Sequence, residues 1–173
     1  KGVGNLAVLL KKMGHDVRGS EYSQNTFYPP IADLIKDNEI PVDFGFDPEK
    51  VTPEYDLIVT GGAALIHDPN NPQLQKAKDL GLKIITFATG IGEFVSKEES
   101  IEIIGNHGKT TTTSIVAWCL KKCGEDASFF IGEAPMGFED SIHSGESKWS
   151  VQEGDEHPSL GQEPGGKFLY HKA

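Results

Sequence analysis

Two hydrophobic rhythms alternate along this chain. Leu6, Leu9, Leu10 and Met13 recur at helical spacing and Gly14 follows as a natural stop, so residues 1–14 read as a glycine turn feeding a helix. A short strand is predicted over 15–20, a polar loop closed by Pro29-Pro30 over 22–30, a short amphipathic helix over 31–38 and a further strand over 41–44. The compact apolar run at 56–60 has the length of a buried strand. Asn71 is an N-cap candidate with proline at the first helical position, which predicts a helix over 71–80 that Gly81 ends. Residues 83–87 read as a strand and 91–95 as a short helix. Strand and helix take turns, the pattern of an α/β fold around a parallel sheet.

The polar stretch Ser96-Lys97-Glu98-Glu99-Ser100 interrupts this pattern and is the expected domain boundary, dividing the chain into 1–97 and 98–173. A strand over 100–104 opens the second part and runs through a glycine loop into a helix that Gly124 ends. Ile115, Trp118, Cys119 and Leu120 fall on or near one face of that helix, and Lys121 and Lys122 read as charges at its C-terminus. Cys119 and Cys123 are four apart, a helical spacing unsuited to a disulfide, and read as small core residues. Strands are predicted over 127–131, 149–152 and 167–170, with a loop over 158–166. The first part has the order of a Rossmann-like opening whose initial strand would precede Lys1, so residues before Lys1 are expected to be missing from the sequence.

Length and charge narrow the function. A chain of 173 residues suits one or two small domains. A formal net charge of −10 argues against non-specific nucleic-acid binding, although a local cradle can still hold a phosphorylated small molecule. No apolar run approaches the roughly 20 residues that a membrane span requires, and no signal peptide is visible.

Candidate chemistry concentrates in Gly105-Asn106-His107-Gly108-Lys109-Thr110-Thr111. Two glycines allow backbone N–H groups to turn towards an anion, and the helix that follows adds its partial positive charge. Lys109 can reach terminal phosphates, the Thr110 hydroxyl can ligate Mg²⁺, and His107 can hydrogen-bond a phosphate or hold the loop. The full phosphate-loop pattern calls for glycine where Ile103 stands, so this is a shortened form. A second constellation, Glu153, Asp155 and Glu156, follows a predicted strand. It reads either as a carboxylate ligand to a nucleotide's metal, Glu153 foremost, or as a solvated acidic turn. Gly61 and Gly62, after the strand at 56–60, allow a ligand to approach the backbone or form a plain tight turn. His15, His67, His143 and His171 have no evident partners and are expected at the surface, while His157 reads as a loop residue.

A strand running into G-N-H-G-K-T-T-T-T resembles the ATP loop of the Mur ligases, and that family's shortened loop accounts for Ile103. The opening K-G-V-G-N-L-A, followed by G-H-D-V-R-G-S-E, resembles the UDP-binding start of the ligases that act on UDP-N-acetylmuramate. F-I-G-E-A-P, V-Q-E-G-D-E-H and K-F-L-Y-H-K resemble the branch that ligates a whole peptide, L-Ala-γ-D-Glu-meso-diaminopimelate, with the branch that adds L-alanine as the alternative.

The resemblance implies an α/β chain: a Rossmann-like UDP-sugar-binding domain over 1–97, then the first half of a P-loop ATPase domain over 98–173. It implies a cytoplasmic, ADP-forming ligase that uses ATP and Mg²⁺ and binds neither nucleic acid nor membrane. The lactyl carboxylate of UDP-N-acetylmuramate would be activated as an acyl phosphate and attacked by the incoming amine, in peptidoglycan recycling. Lys109 and Glu153 would be catalytic, residues 105–111 would hold ATP, and Thr110 and Glu153 would hold the metal. Gly2, Gly4, Ser20, Glu21, Gly61 and Gly62 would line the UDP-sugar site. The family's later histidine ligand, its carbamylated lysine and its C-terminal domain have no counterpart here, so these residues alone are expected to turn over nothing. Two rival readings remain: a folylpolyglutamate synthetase, which the glycine-rich first half disfavours, and a non-catalytic nucleotide-binding module.

Overall fold

The computed structural model describes residues 2–62, 68, 70–156 and 165–171. Ala63, Ala64, His67, His157 and most of the expected loop over 158–166 lie outside them. The chain forms two compact units, the first running to Phe87 and the second starting at Ala88.

The first unit is built from two strand–helix–strand repeats, each closing a parallel pair. Helix α1 (Gly2–Lys12) precedes them and buries Leu6, Val8, Leu9 and Leu10. The expected glycine turn at its start is helical instead. A Cβ on Gly2 would come within 2.9 Å of the Phe87 ring, and one on Gly4 within 2.6 Å of Ile31, so these glycines serve close packing rather than a turn. Met13 is not part of the buried stripe and remains 46% exposed. Strand β1 (Gly19–Glu21), helix α2 (Ile31–Asp37) and strand β2 (Val42–Phe44) follow, with β1 and β2 parallel. Val8 of α1, Ile35 of α2 and Ile40 form a buried cluster over which Phe27, Ile31, Leu34 and Val42 pack.

The second repeat is β3 (Leu57–Thr60), α3 (Pro72–Asp79) and β4 (Lys83–Thr86), with β3 parallel to β4 in the register Leu57 to Lys83. The Asn71 side chain accepts hydrogen bonds from the N–H groups of Gln73 and Leu74 at 3.0 and 3.1 Å, the cap that the Asn-Pro pair predicts.

Helix α4 (Phe87–Phe94) begins directly after β4 and is longer than the sequence pattern suggests. The second unit then forms a sheet in the order β5 (Glu99–Ile103), β8 (Trp149–Glu153), β6 (Ser128–Phe130), β7 (Ile142–His143). The first three strands are parallel and only β7 runs the other way. The polar stretch at 96–100 is not loose: Glu99 and Ser100 already belong to β5, and the Ser96 hydroxyl hydrogen-bonds buried Gln152.

Helix α5 (Lys109–Lys122) connects β5 to β6 and packs on β8 and β5. Its buried face is Thr113 and Ala117, with Val116 and Leu120 half-buried. Ile115, Trp118 and both cysteines are exposed, against expectation. Small residues face the sheet because the helix lies close to it, and the Thr113 hydroxyl donates to the Lys109 carbonyl oxygen at 2.8 Å rather than remaining unpaired. Ala117, Phe129, Ile131 and Val151 make the core, joined by Ile101, Ile103 and Phe138. Lys121 and Lys122 lie over the rings of Phe138 and Trp118 at 4.9 and 4.6 Å, which adds a cation–π role to their place at the helix end. The expected strand at 167–170 is instead a single 3₁₀ turn.

Candidate functional site

Parallel pairing of β5 and β8 places their C-terminal ends at the same edge of the sheet, with Ile103 opposite Glu153. That edge is where open α/β sheets bind ligands. After β5 the chain turns through residues 104–108 and enters α5 at Lys109. Gly108 caps the helix with φ of 76°, a left-handed conformation that favours glycine. The first backbone N–H groups of α5 have no partner within the helix and open onto a concavity of about 300 Å³, lined by residues 106–111 and Glu153.

Side chains complete the concavity. Thr110 Oγ1 lies 2.9 and 3.1 Å from the two carboxylate oxygens of Glu153. Glu153 Oε2 also accepts from the Gly132 N–H at 2.8 Å, so the loop after β6 fixes the carboxylate's orientation. A Cβ on Gly132 would sit 3.0 Å from that same oxygen. The Lys109 ammonium donates to the Gly105 carbonyl oxygen at 2.8 Å and to Glu156 Oε2 at 2.9 Å. Asn106 and His107 are exposed on the rim. Asp155 is drawn away from this group into an ion pair with Lys167. The structure thus brings Gly105, Lys109, Thr110, Glu153 and Glu156 together, and it adds Gly132, which the sequence reading quoted but gave no role.

The other predicted group lies in the first unit. Gly61 follows the end of β3, where a Cβ would meet Val3 of α1 at 2.8 Å, and Gly62 is the next residue. The starts of α1 and α4 and the end of β3 therefore converge around Gly2, Gly61 and Phe87. Ser20 and Glu21 close β1. Glu21 Oε1 accepts from the Tyr22 N–H at 2.8 Å and from the Thr26 hydroxyl at 3.1 Å, which holds the carboxylate over the turn that follows.

Two histidines depart from expectation, His171 in being buried and both in having partners. His171 is buried, and its Nδ1 is 2.9 Å from Glu102 Oε1 on β5; the other oxygen of Glu102 has no hydrogen-bond partner among the described residues. This pair fastens the segment after Gly166 to the strand that carries the glycine loop. His143 Nε2 is 2.8 Å from Asp126 Oδ1. That contact, with the Glu146 N–H, holds the Asp126 carboxyl below its ordinary pKa. Neither pair had a readable signal, since the partners are 69 and 17 residues apart.

Known proteins carry the same chain path. The UDP-N-acetylmuramate–L-alanyl-γ-D-glutamyl-meso-2,6-diaminoheptandioate ligase of Escherichia coli (strain K12) is 31% identical over 98% of this chain and 36% of its own length. The UDP-N-acetylmuramate–L-alanine ligase of Hyphomonas neptunium is 30% identical over 90% of this chain and 31% of its own length. The crystal structure of the UDP-N-acetylmuramate:L-alanyl-γ-D-glutamyl-meso-diaminopimelate ligase from Neisseria meningitides superposes with a TM-score of 0.82 at 28% identity, covering 97% of this chain and 53% of that one. The chain spans about a third of the length of these curated relatives. A family model described as the Mur ligase family, catalytic domain, matches residues 1–99, more than half of the chain. The chain belongs to the Mur ligase family.

Proposed function

We propose that this chain is the nucleotide-handling part of an ATP-dependent, ADP-forming ligase that joins L-Ala-γ-D-Glu-meso-diaminopimelate to the lactyl carboxylate of UDP-N-acetylmuramate. One observation carries the reading: Lys109, Thr110 and Glu153 converge at the end of two parallel strands, beside the N–H groups of a helix start. In this reading residues 1–97 hold the UDP-sugar and residues 98–173 open the ATP domain.

Gly105 to Thr111 would cradle the phosphates through backbone N–H groups, with Asn106 and His107 at the rim. Lys109 would neutralise negative charge that grows on the transferring phosphoryl group. The donor set suits a hard cation, because a hydroxyl and a carboxylate already meet at 2.9 Å. Thr110 and Glu153 would hold that ion, and it would supply charge neutralisation across the phosphates. On the sugar side, Gly2, Gly4 and Gly61 let the backbone pack closely against Phe87, Ile31 and Val3, and with Gly62 they would line the UDP-sugar site. Ser20 and Glu21 would add a hydroxyl and a carboxylate for the sugar or uridine. Among the described residues no helix is long and apolar enough to cross a membrane.

The likeness to an alanine-adding enzyme supports a second reading, in which the amine is L-alanine in peptidoglycan synthesis. ADP release by the full-length protein with ATP, Mg²⁺, UDP-N-acetylmuramate and either tripeptide or L-alanine decides between them. Release with the tripeptide is expected, release only with L-alanine selects the second reading, and release with neither overturns both.

A further inference from the structure

The contact between Lys109 and Glu156 lies outside the roles assigned above. Lys109 Nζ is 2.9 Å from Glu156 Oε2, and the two side chains are 19% and 38% exposed. Its second contact is the Gly105 carbonyl oxygen. The cation of the glycine loop is therefore clasped by a carboxylate three residues beyond Glu153. Glu153 engages the Thr110 hydroxyl in the same manner. Both groups that a triphosphate would seek are thus already satisfied from within the chain.

Metal-free and metal-bound nucleotides meet this clasp differently. A bare triphosphate must part Lys109 from Glu156 and then lie beside Glu153 and Glu156 with both carboxylates unneutralised. Charge-assisted hydrogen bonds are roughly twice as strong as neutral ones, so parting them without replacement is costly. A nucleotide that carries a divalent cation takes over Lys109 and at the same time gives the released carboxylate a positive partner. Asp155 does not substitute for Glu156, because Lys167 holds it.

Building on the ATP reading of this site, we propose that Glu156 is a specificity-determining residue: it masks Lys109 and so makes nucleotide entry depend on the divalent cation. The test is calorimetric titration of the protein with ATP, once in excess Mg²⁺ and once in a chelator. Wild type is compared with Glu156→Gln, with Glu156→Ser as a second variant and Glu54→Gln in the first unit as a control for net charge. Both Glu156 variants should bind metal-free ATP on the order of tenfold more tightly than wild type, as expected when one charge-assisted contact no longer competes. Affinity for Mg²⁺–ATP should change by less than about threefold, and the control should match wild type. Unchanged metal-free binding in both variants overturns the proposal while leaving the ATP site intact. Weaker binding in both conditions also overturns it, since Glu156 would then position Lys109 rather than mask it. Absence of ATP binding by wild type in either condition is a different failure, that of the ATP reading itself, and the proposal falls with it.

Discussion

Gln152 tests whether the site's geometry is set from beneath. It is fully buried in β8, next to Glu153 and opposite Glu102 in the parallel ladder. Its Nε2 lies 3.0, 3.0 and 3.1 Å from the hydroxyl oxygens of Ser96, Ser100 and Ser150, and its Oε1 is 3.2 Å from Ser96 Oγ. An amide nitrogen has two protons, so at most two of its three contacts form at once, and the carbonyl adds one more. Gln152→Met keeps an unbranched side chain and removes all of them. Ser150 and Ser100 keep their bond to each other, Ser150 keeps the Lys97 N–H, and Ser96 keeps its contact with the Ile91 carbonyl oxygen, so what is lost is the amide's own bonds. Two to three buried hydrogen bonds at about 1 kcal/mol each give a loss of about 2–3 kcal/mol.

The measurement is urea unfolding followed by tryptophan fluorescence. Both tryptophans of the chain, Trp118 and Trp149, belong to the second unit, so the signal reports that unit alone. At a slope of about 1–3 kcal/mol per molar urea, the midpoint should fall by roughly 1–2 M with an unchanged slope. A loss under about 0.5 kcal/mol, the range of an ordinary surface substitution, would refute the reasoning. Gln152→Glu should be worse, because it buries a carboxylate among serine hydroxyls.

Two further substitutions probe other contacts. Gly92→Ala puts a Cβ 2.3 Å from the Tyr170 carbonyl oxygen; a backbone atom cannot swing aside, so a loss of about 1–3 kcal/mol and faster limited proteolysis near 165–171 are expected. Asp126→Asn removes a carboxyl whose pKa is lowered by His143 first and the Glu146 N–H second. Its stabilisation is therefore present above the ordinary carboxyl range and disappears as pH falls through the lowered value. Both partners are about half exposed, so the difference between wild type and variant should be under about 1 kcal/mol at pH 7. That difference should shrink to nothing in acid; growth on acidification contradicts the assignment.

Legibility in the sequence followed the physics of each signal. The parallel pairs around α2 and α3 were readable because each element carries its own period and its own stop, such as Asn71-Pro72 at the start of α3. The glycine loop was readable because its parts are contiguous, and Glu153 stood out among the acidic residues because it ends its strand. Size misled where close packing governs. Trp118 and Ile115 looked like core and are exposed, while Thr113 and Ala117 face the sheet because a helix so near β8 and β5 has no room for more. Nearness in space without nearness in sequence left no trace, so the Glu102–His171 pair and the Gly132–Glu153 bond could not be anticipated. The run at 167–170 is too short for its apolar residues to distinguish a strand from a 3₁₀ turn.

Ile103, the one mismatch to the full phosphate-loop pattern, has a physical reason in this fold. It is the last residue of β5, it pairs with Glu153 across the ladder, and it packs against the cluster of Ala117, Phe129, Ile131 and Val151. A glycine there would remove core contacts at the point where the strand must stay in register with β8. The strand therefore extends to Ile103 and the loop shortens to the residues between it and Lys109. The same register places Glu153 level with the loop, within reach of Thr110, while Ser96, Ser100 and Ser150 hold Gln152 one residue below. Shortening the loop and placing the carboxylate are thus two results of one strand pairing. A change that shifts β8 by a residue would turn Glu153 to the opposite face of the sheet and leave Thr110 without it.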